Sequence, residues 1–389
     1  MGKFNFDAIT NRKETDSIKW NMMDNIYGTN DLLPMWVADM DFQAPTEVTE
    51  ALMSRVAHGV FGYAVPTNSL HQAVKNWVQN RYHWTVHENW FVLSSGVVTS
   101  IALTIRALTK ENGKVLIQTP VYPPFYSMIE MNNREIVKNP LKYENGKYEI
   151  DFADFEEKLK TGVKLFILCN PHNPVGRVWT KEELDKMGSL CEQYGVQILS
   201  DEIHGDLVFK PHVHIPIASI KEGWAQNSVT CIAPSKTFNI PGIQSSVMII
   251  PNNEMREKVM KEQQKVGSHG LNIFGNVALE AAYAHGEEWL EELLDYVKAN
   301  ADYVKQFLKD ELPALEVLPL EGTYLLWINC RKLGFTDEQL KDRLINIGRL
   351  ALEPGIKYGD GGEGFVRMNI GCPRETLLEG LQRLKKALQ

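Results

Sequence analysis

The sequence predicts an α/β protein: a large domain with a mostly parallel sheet between helices, then a smaller α+β domain at the C-terminal end. Three observations carry that expectation. Short apolar runs alternate with helical patterns between residues 46 and 285. The alternation stops after His285, where one long helical pattern leads into a different arrangement. The length, 389 residues, suits two or three domains at about 150 residues each, and the 44% hydrophobic, 23% charged composition is that of a globular chain.

The first 45 residues form a segment that can pack on either domain. From Thr46 to Tyr82 two amphipathic helices are expected, parted by a break at Gly59–Pro66. Buried strands are expected at Trp90–Leu93, Val115–Gln118, Lys164–Cys169, Val196–Leu199, Val229–Ala233 and Ser246–Ile250, because these runs are short and almost wholly apolar. A helix over Thr180–Tyr194 opens on Thr180 and Glu183, the spacing of a capping box. The large domain is therefore assigned residues 46–285. A helix over Glu287–Lys309, stopped before Pro313, leads into the small domain, residues 286–389. Strands are expected there near Thr323–Asn329, Arg349–Leu352 and Gly364–Ile370. Its helices start near Thr336, which has Gln339 as its capping-box partner, and near Pro373.

Composition narrows the functional classes. A net charge of −8 repels nucleic acid and anionic membrane, so neither is an expected partner. The five cysteines include no C-x-x-C pair and read as reduced core thiols of a cytoplasmic protein. Met1–Trp20 is polar and charged, unlike a signal peptide, and no run of about 18 apolar residues is present. No metal is expected, since His204, His212 and His214 lack accompanying ligand spacing. Gly359–Gly364 fits G-x-G-x-x-G, but without a strand before it and a helix after it the segment reads as a loop.

In an open parallel sheet, ligands bind at the carboxyl ends of strands. Three polar clusters fall there in succession. Asn170-Pro171-His172-Asn173-Pro174 follows one strand, and taken alone would equally suit a loop of Asx turns. Asp201 ends the next strand, where a capping aspartate is the plain alternative. Lys236, in Ala233-Pro234-Ser235-Lys236-Thr237-Phe238-Asn239, follows the third, and taken alone is an ordinary solvated charge.

The order Asn173, Asp201, Lys236 resembles that of the fold-type I pyridoxal-phosphate enzymes, the aspartate aminotransferase superfamily, across almost the whole chain. More narrowly, Pro34-Met35-Trp36-Val37-Ala38-Asp39-Met40-Asp41-Phe42, Asp201-Glu202-Ile203-His204 and Ser235-Lys236-Thr237-Phe238-Asn239 resemble the MalY/PatB-type cystathionine β-lyases, or cysteine C–S lyases. The resemblance implies a seven-stranded type of sheet, a pyridoxal 5′-phosphate cofactor and a homodimer with shared active sites. It implies that Lys236 forms the Schiff base and then removes the α-proton. Asp201 would pair with the pyridine nitrogen, Asn173 would bond the phenolate oxygen, and Tyr122 would stack on the ring. Gly96, Val97 and Val98, at a helix start, would hold the phosphate with Ser235 and with Tyr63 of the neighbouring subunit. Arg367 would take the substrate carboxylate. Trp36 and Asp39 would reach the distal part of the substrate.

Two departures from the aminotransferase pattern point to the lyase subgroup. Gln244 stands where a phosphate-binding arginine is common, and His204 stands where a tyrosine is usual. The favoured reaction is therefore β-elimination from cystathionine, cysteine or another S-substituted cysteine, giving a thiol, pyruvate and ammonia. An aminotransferase is the second reading. A regulatory protein that keeps the fold for binding is the third.

Overall fold

The computed structural model describes residues 2–389. Seven strands make the main sheet: β1 (Phe91–Ser94), β2 (Lys114–Thr119), β3 (Glu135–Pro140), β4 (Leu165–Cys169), β5 (Gln197–Asp201), β6 (Ser228–Ile232) and β7 (Ser246–Ile249). Their spatial order is β1-β7-β6-β5-β4-β2-β3, and β7 alone runs antiparallel to its neighbours. Strands such as β4, Leu-Phe-Ile-Leu-Cys, are buried along their whole length, as expected of a parallel sheet covered on both faces.

The helices follow from capping and apolar spacing. α1 (Thr46–His58) and α2 (Asn68–Tyr82) flank the expected break, and Thr67 caps α2 by accepting from the Leu70 amide. α3 (Val97–Leu108) is strongly apolar and packs under β1 and β7. α4 (Lys181–Tyr194) opens on the capping box of Thr180 and Glu183. α5 (Pro234–Thr237) is a single turn after β6, and α6 (Ile273–His285) packs on α1 and α2. α7 (Glu287–Glu311) buries Leu290, Leu293, Val297, Ala301, Val304 and Leu308, a stripe at helical spacing.

A second, antiparallel sheet holds β8 (Glu316–Val317), β9 (Leu325–Asn329), β10 (Glu353–Pro354) and β11 (Phe365–Asn369), in the order β8-β9-β11-β10. The final helix, α8 (Arg374–Leu388), lies against α7. The strand expected at Arg349–Leu352 is shorter, Leu350–Ala351. It leaves this sheet to pair in parallel with Leu33–Pro34, tying the start of the chain to its last quarter. Among the described residues no helix is long and apolar enough to cross a membrane.

Candidate active site

The three central strands deliver the three polar clusters to one place. Cys169 on β4 and Cys231 on β6 both pair with Asp201 on β5, so Asp201 sits at the middle of the carboxyl edge. Asn173 follows β4 and Lys236 sits on α5, just after β6. All three line one cavity of about 240 Å³, with Tyr122, His204 and Ser235 beside them.

Burial sets the charge states. Asp201 is 4% exposed. Burial pushes its carboxyl up to about 7, with the Glu202 charge adding, while the Ile203 amide and Lys236 oppose. Lys236 Nζ donates to the Ala38 carbonyl at 2.5 Å. Burial, helped by the Arg367 charge, brings Lys236 down to about 8, against the pull of Asp39 and Asp201. Its amine is thus neutral, and nucleophilic, in mildly alkaline solution. His204 is held far below its usual range, first by burial, then by the Lys236 and Arg367 charges. It faces the cavity as neutral imidazole, and its Nδ1 has no hydrogen-bond partner among the described residues. Burial, and next the Asp201 charge, raise the Tyr122 phenol to about 12, so it stays protonated.

The same cavity is also lined by the start of α3, whose geometry leaves donors free. Gly96 precedes α3 at φ 155, ψ 159, a region essentially closed to residues with a side chain. No side chain caps this helix. Its first amides, those of Val97, Val98 and Thr99, therefore keep the free donors and positive dipole that suit a phosphate. Ser95, Ser235, Gln244 and Ser245 complete the wall. Ser245 Oγ is buried without a hydrogen-bond partner among the described residues.

Arg367 lies on β11, opposite Trp327 of β9. One of its nitrogens, Nη1, donates to Asn173 Oδ1 at 3.1 Å, and Nη2 donates to the Trp36 carbonyl at 2.8 Å. Its Nε has no partner among the described residues. The guanidinium sits 5.3 Å from the Tyr358 ring centre. Arg367 is thus joined to the cavity through Asn173.

The remaining sequence candidates sit differently. Trp36 offers its backbone to Arg367, while its indole donates to the Lys19 carbonyl at 3.1 Å and packs edge-on against Tyr27. Asp39 has both carboxylate oxygens engaged by Arg12, at 3.1 and 2.7 Å. Tyr63 is fully exposed, away from the cavity of its own chain.

Several residues went unread in the sequence. Ser245 and Thr99 line the anion wall, and Cys169, Ile203 and Pro241 line the cavity. Tyr324 donates to the Ala38 carbonyl at 2.8 Å, sharing that acceptor with Lys236. Arg12 lies far upstream in a polar stretch. Nothing local marks these positions. Asn369 and Asn239 were within reach: Asn369 shares a strand face with Arg367, and Asn239 ends the lysine motif. Asn369 Nδ2 bonds the Val37 and Asp39 carbonyls, both at 2.6 Å, and Asn239 Nδ2 bonds those of Met40 and Phe42, at 2.9 and 2.7 Å.

This chain resembles known proteins along almost its whole length. Cystathionine beta-lyase PatB of Bacillus subtilis (strain 168) is 48% identical over 385 residues, spanning 99% of this chain and 100% of the relative. Protein MalY of Escherichia coli (strain K12) is 35% identical, spanning 99% of each. The crystal structure of cystalysin from Treponema denticola, which contains a pyridoxal 5′-phosphate cofactor, superposes with a TM-score of 0.96. It is 35% identical, over 99% of this chain and 98% of that one. The family described as aminotransferase class I and II matches residues 30–384. With the site built on the carboxyl ends of β4, β5 and β6 and the match running through nearly the whole chain, this protein belongs to the aminotransferase class I and II family.

Proposed function

We propose that this chain is a pyridoxal 5′-phosphate-dependent C–S β-lyase. It cleaves L-cystathionine or related S-substituted cysteines, and cysteine, to a thiol, pyruvate and ammonia. The observation that carries the reading is the convergence of Lys236, Asp201 and Asn173 on one cavity, with Arg367 bonded to Asn173 behind them. The whole-length likeness to a cystathionine beta-lyase at 48% identity supports elimination over amino-group transfer.

The residues fit the cofactor. The uncapped start of α3 and the unpartnered Ser245 hydroxyl suit its phosphate. Asp201, buried and short of a cation, suits a protonated ring nitrogen. Lys236 suits its aldehyde carbon, and Asn173 and Tyr122 its ring. When bound, the cofactor supplies a ring that accepts the electrons released when the substrate loses its α-proton.

The protein does the rest. Arg367 takes the substrate carboxylate on its planar fork and orients the Cα–H bond. Lys236, freed from the aldehyde carbon when the substrate's amino group takes its place and neutral above about pH 8, would take that proton as general base. Asp201 holds a proton on the ring nitrogen throughout. Tyr122 and His204, both uncharged, keep the cavity from adding a competing charge. The bond from Cβ to sulfur then breaks and the thiolate leaves.

The reading also takes in the rest of the molecule. The chain divides into residues 1–45, 46–285 and 286–389; the middle unit supplies Asn173, Asp201 and Lys236, the first supplies Ala38 and the last Arg367. A homodimer with shared active sites is supported by the exposed apolar ridge of Met53, Val56, Val60, Phe61, Tyr63 and Val65. Five buried, unbridged cysteines suit a reducing cytoplasm.

Two measurements check the proposal. Incubation of holoenzyme with L-cystathionine is expected to release pyruvate and free thiol in equal amounts. Stoichiometric pyridoxamine phosphate with no pyruvate would instead mark a transaminase. Arg367→Ala is expected to raise KM by about 10²-fold, since a charge-assisted fork contributes roughly 2–3 kcal/mol to holding the carboxylate. An unchanged KM would remove Arg367 from the substrate site.

A further inference from the structure

The turn that carries Ala38 is gripped by the N-terminal segment through a knot of charges. Among the described residues before Ile18 this segment has no regular secondary structure. Arg12 reaches in from it with both terminal nitrogens. Nη1 donates to Asp39 Oδ1 at 3.1 Å, the Met40 carbonyl at 3.0 Å and Asp41 Oδ1 at 2.7 Å. Nη2 donates to Asp39 Oδ2 at 2.7 Å and Ser17 Oγ at 2.9 Å. Lys19, only 1% exposed, closes the far side by donating to Asp41 Oδ2 at 2.6 Å. One residue before Asp39, the Ala38 carbonyl accepts from Lys236 Nζ.

We propose that Arg12 is a positioning residue for the reaction: it fixes the Asp39 carboxylate and the Ala38 carbonyl against Lys236, so the N-terminal segment completes the active site. The inference rests on the reading of Lys236 as the reacting amine, but not on which reaction follows.

Both geometry and charge argue for it. A fork that engages both carboxylate oxygens and a neighbouring carbonyl leaves the turn one orientation. Asp39 is also the strongest charge favouring the protonated Lys236 amine, though burial outweighs it. The charged and titratable groups around Asp39 are Arg12 from the segment, Lys19 and Asp41 beside it, Lys236 from α5 and Tyr324 from just before β9. Asp201, His204 and Arg367 face Lys236 from β5, its following loop and β11. Within this set Arg12 partly cancels Asp39. Removing Arg12 exposes Lys236 to more of the Asp39 charge, whereas removing the Asp39 charge leaves Lys236 facing cations. The two substitutions therefore act on Lys236 with opposite sign.

The test is pH-dependent acetylation of Lys236 in the full-length apoprotein, read by peptide mass spectrometry, with no substrate present. Arg12→Gln is expected to move the Lys236 titration to higher pH, and Asp39→Asn to lower pH, each by about half a unit or more. The double variant is expected to fall between them. Arg12→Lys keeps the charge without the fork. It is expected to leave the titration in place while lowering kcat of the holoenzyme more than it changes KM. Coincident titrations in Arg12→Gln, Asp39→Asn and wild type would overturn the proposal, as would shifts of the same sign. If circular dichroism shows that Arg12→Gln does not fold, Asp39→Asn and Arg12→Lys carry the test: an unmoved Asp39→Asn curve or a full kcat in Arg12→Lys overturns it. Because labelling needs no turnover, a failed lyase assay and a failed knot are separate results.

Discussion

Lys236→Ala is expected to lower turnover of cystathionine by about 10³-fold or more, because on the proposed reading one side chain supplies both the cofactor anchor and the general base. The cofactor that borohydride fixes covalently onto the wild-type chain should be missing from the variant. The folded state should not suffer. The Lys236 amine is held at about 8 rather than its usual 10.5, chiefly by burial, so folding works against its charge. The sign follows from linkage. Below about pH 8 both folded and unfolded chains carry the ammonium, and the cost of burying it is fully present. Between about pH 8 and 10.5 the folded chain has lost the proton that the unfolded chain still binds, so that cost fades as pH rises. Apoprotein of Lys236→Ala should therefore melt at or above the wild-type temperature at pH 7, with the gap narrowing toward pH 10. A variant that melts well below wild type would mean that Lys236 is a structural residue. Partial recovery of turnover with an added small primary amine would separate the lost base from any distortion of the cavity.

Asp201→Asn should produce a similar pairing of effects, a more stable apoprotein and a crippled holoenzyme, but with the stability gain growing rather than fading as pH rises. Burial lifts the Asp201 carboxyl from 3.8 to about 7. Below about pH 4 folded and unfolded chains both hold the proton, and the residue is neutral to stability. From about pH 4 to 7 the unfolded chain gives the proton up while the folded chain keeps it, so wild-type apoprotein loses stability as pH rises through that window. The loss is on the order of 4 kcal/mol at most, taking about 1.4 kcal/mol for each pH unit. Asparagine has no proton to lose, so melting temperatures of the two apoproteins should agree near pH 4 and diverge by pH 8. A difference that does not change with pH would refute the account. On the proposed reading the carboxylate would keep the ring nitrogen protonated in the holoenzyme, and its loss should reduce kcat by about 10² or more. The same burial that strains the empty site thus becomes useful once a cation sits beside Asp201.

How far the sequence carried this picture depended on where each signal lay along the chain. Strands buried on both faces read clearly, as Leu165–Cys169 and Ser228–Ile232 do, because nothing polar interrupts them. The edge strand Glu135–Pro140 did not, since its charged and amide side chains and its final proline are those of a strand with one open side. Thr180 with Glu183 and Thr336 with Gln339 foretold their helices because a capping box is complete within four residues. Asn173, Asp201 and Lys236 were each ambiguous alone and became legible through their order at the ends of three successive strands. Leu350–Ala351 could not be assigned a partner from local pattern, as its mate, Leu33–Pro34, lies more than three hundred residues away. Arg12 was invisible on similar grounds. An arginine in a polar stretch acquires meaning only through Asp39 and Asp41, and that meeting is a tertiary event.

The segment from Trp36 to Phe42 has a consequence for how the molecule is made. Its backbone is held by Arg367 and Asn369 near the end of the chain, by Tyr324, and by Lys236 and Asn239 in the middle. A ribosome releases these residues in sequence order, so the segment waits about two hundred residues for Lys236 and Asn239, and more than three hundred for Arg367 and Asn369. Contacts so distant in sequence close slowly. The main sheet can form while the site still lacks one wall. Cofactor capture in a translating system should therefore begin only after Asn369 has cleared the exit tunnel, which makes a competent site a late sign that the whole chain has been made and folded.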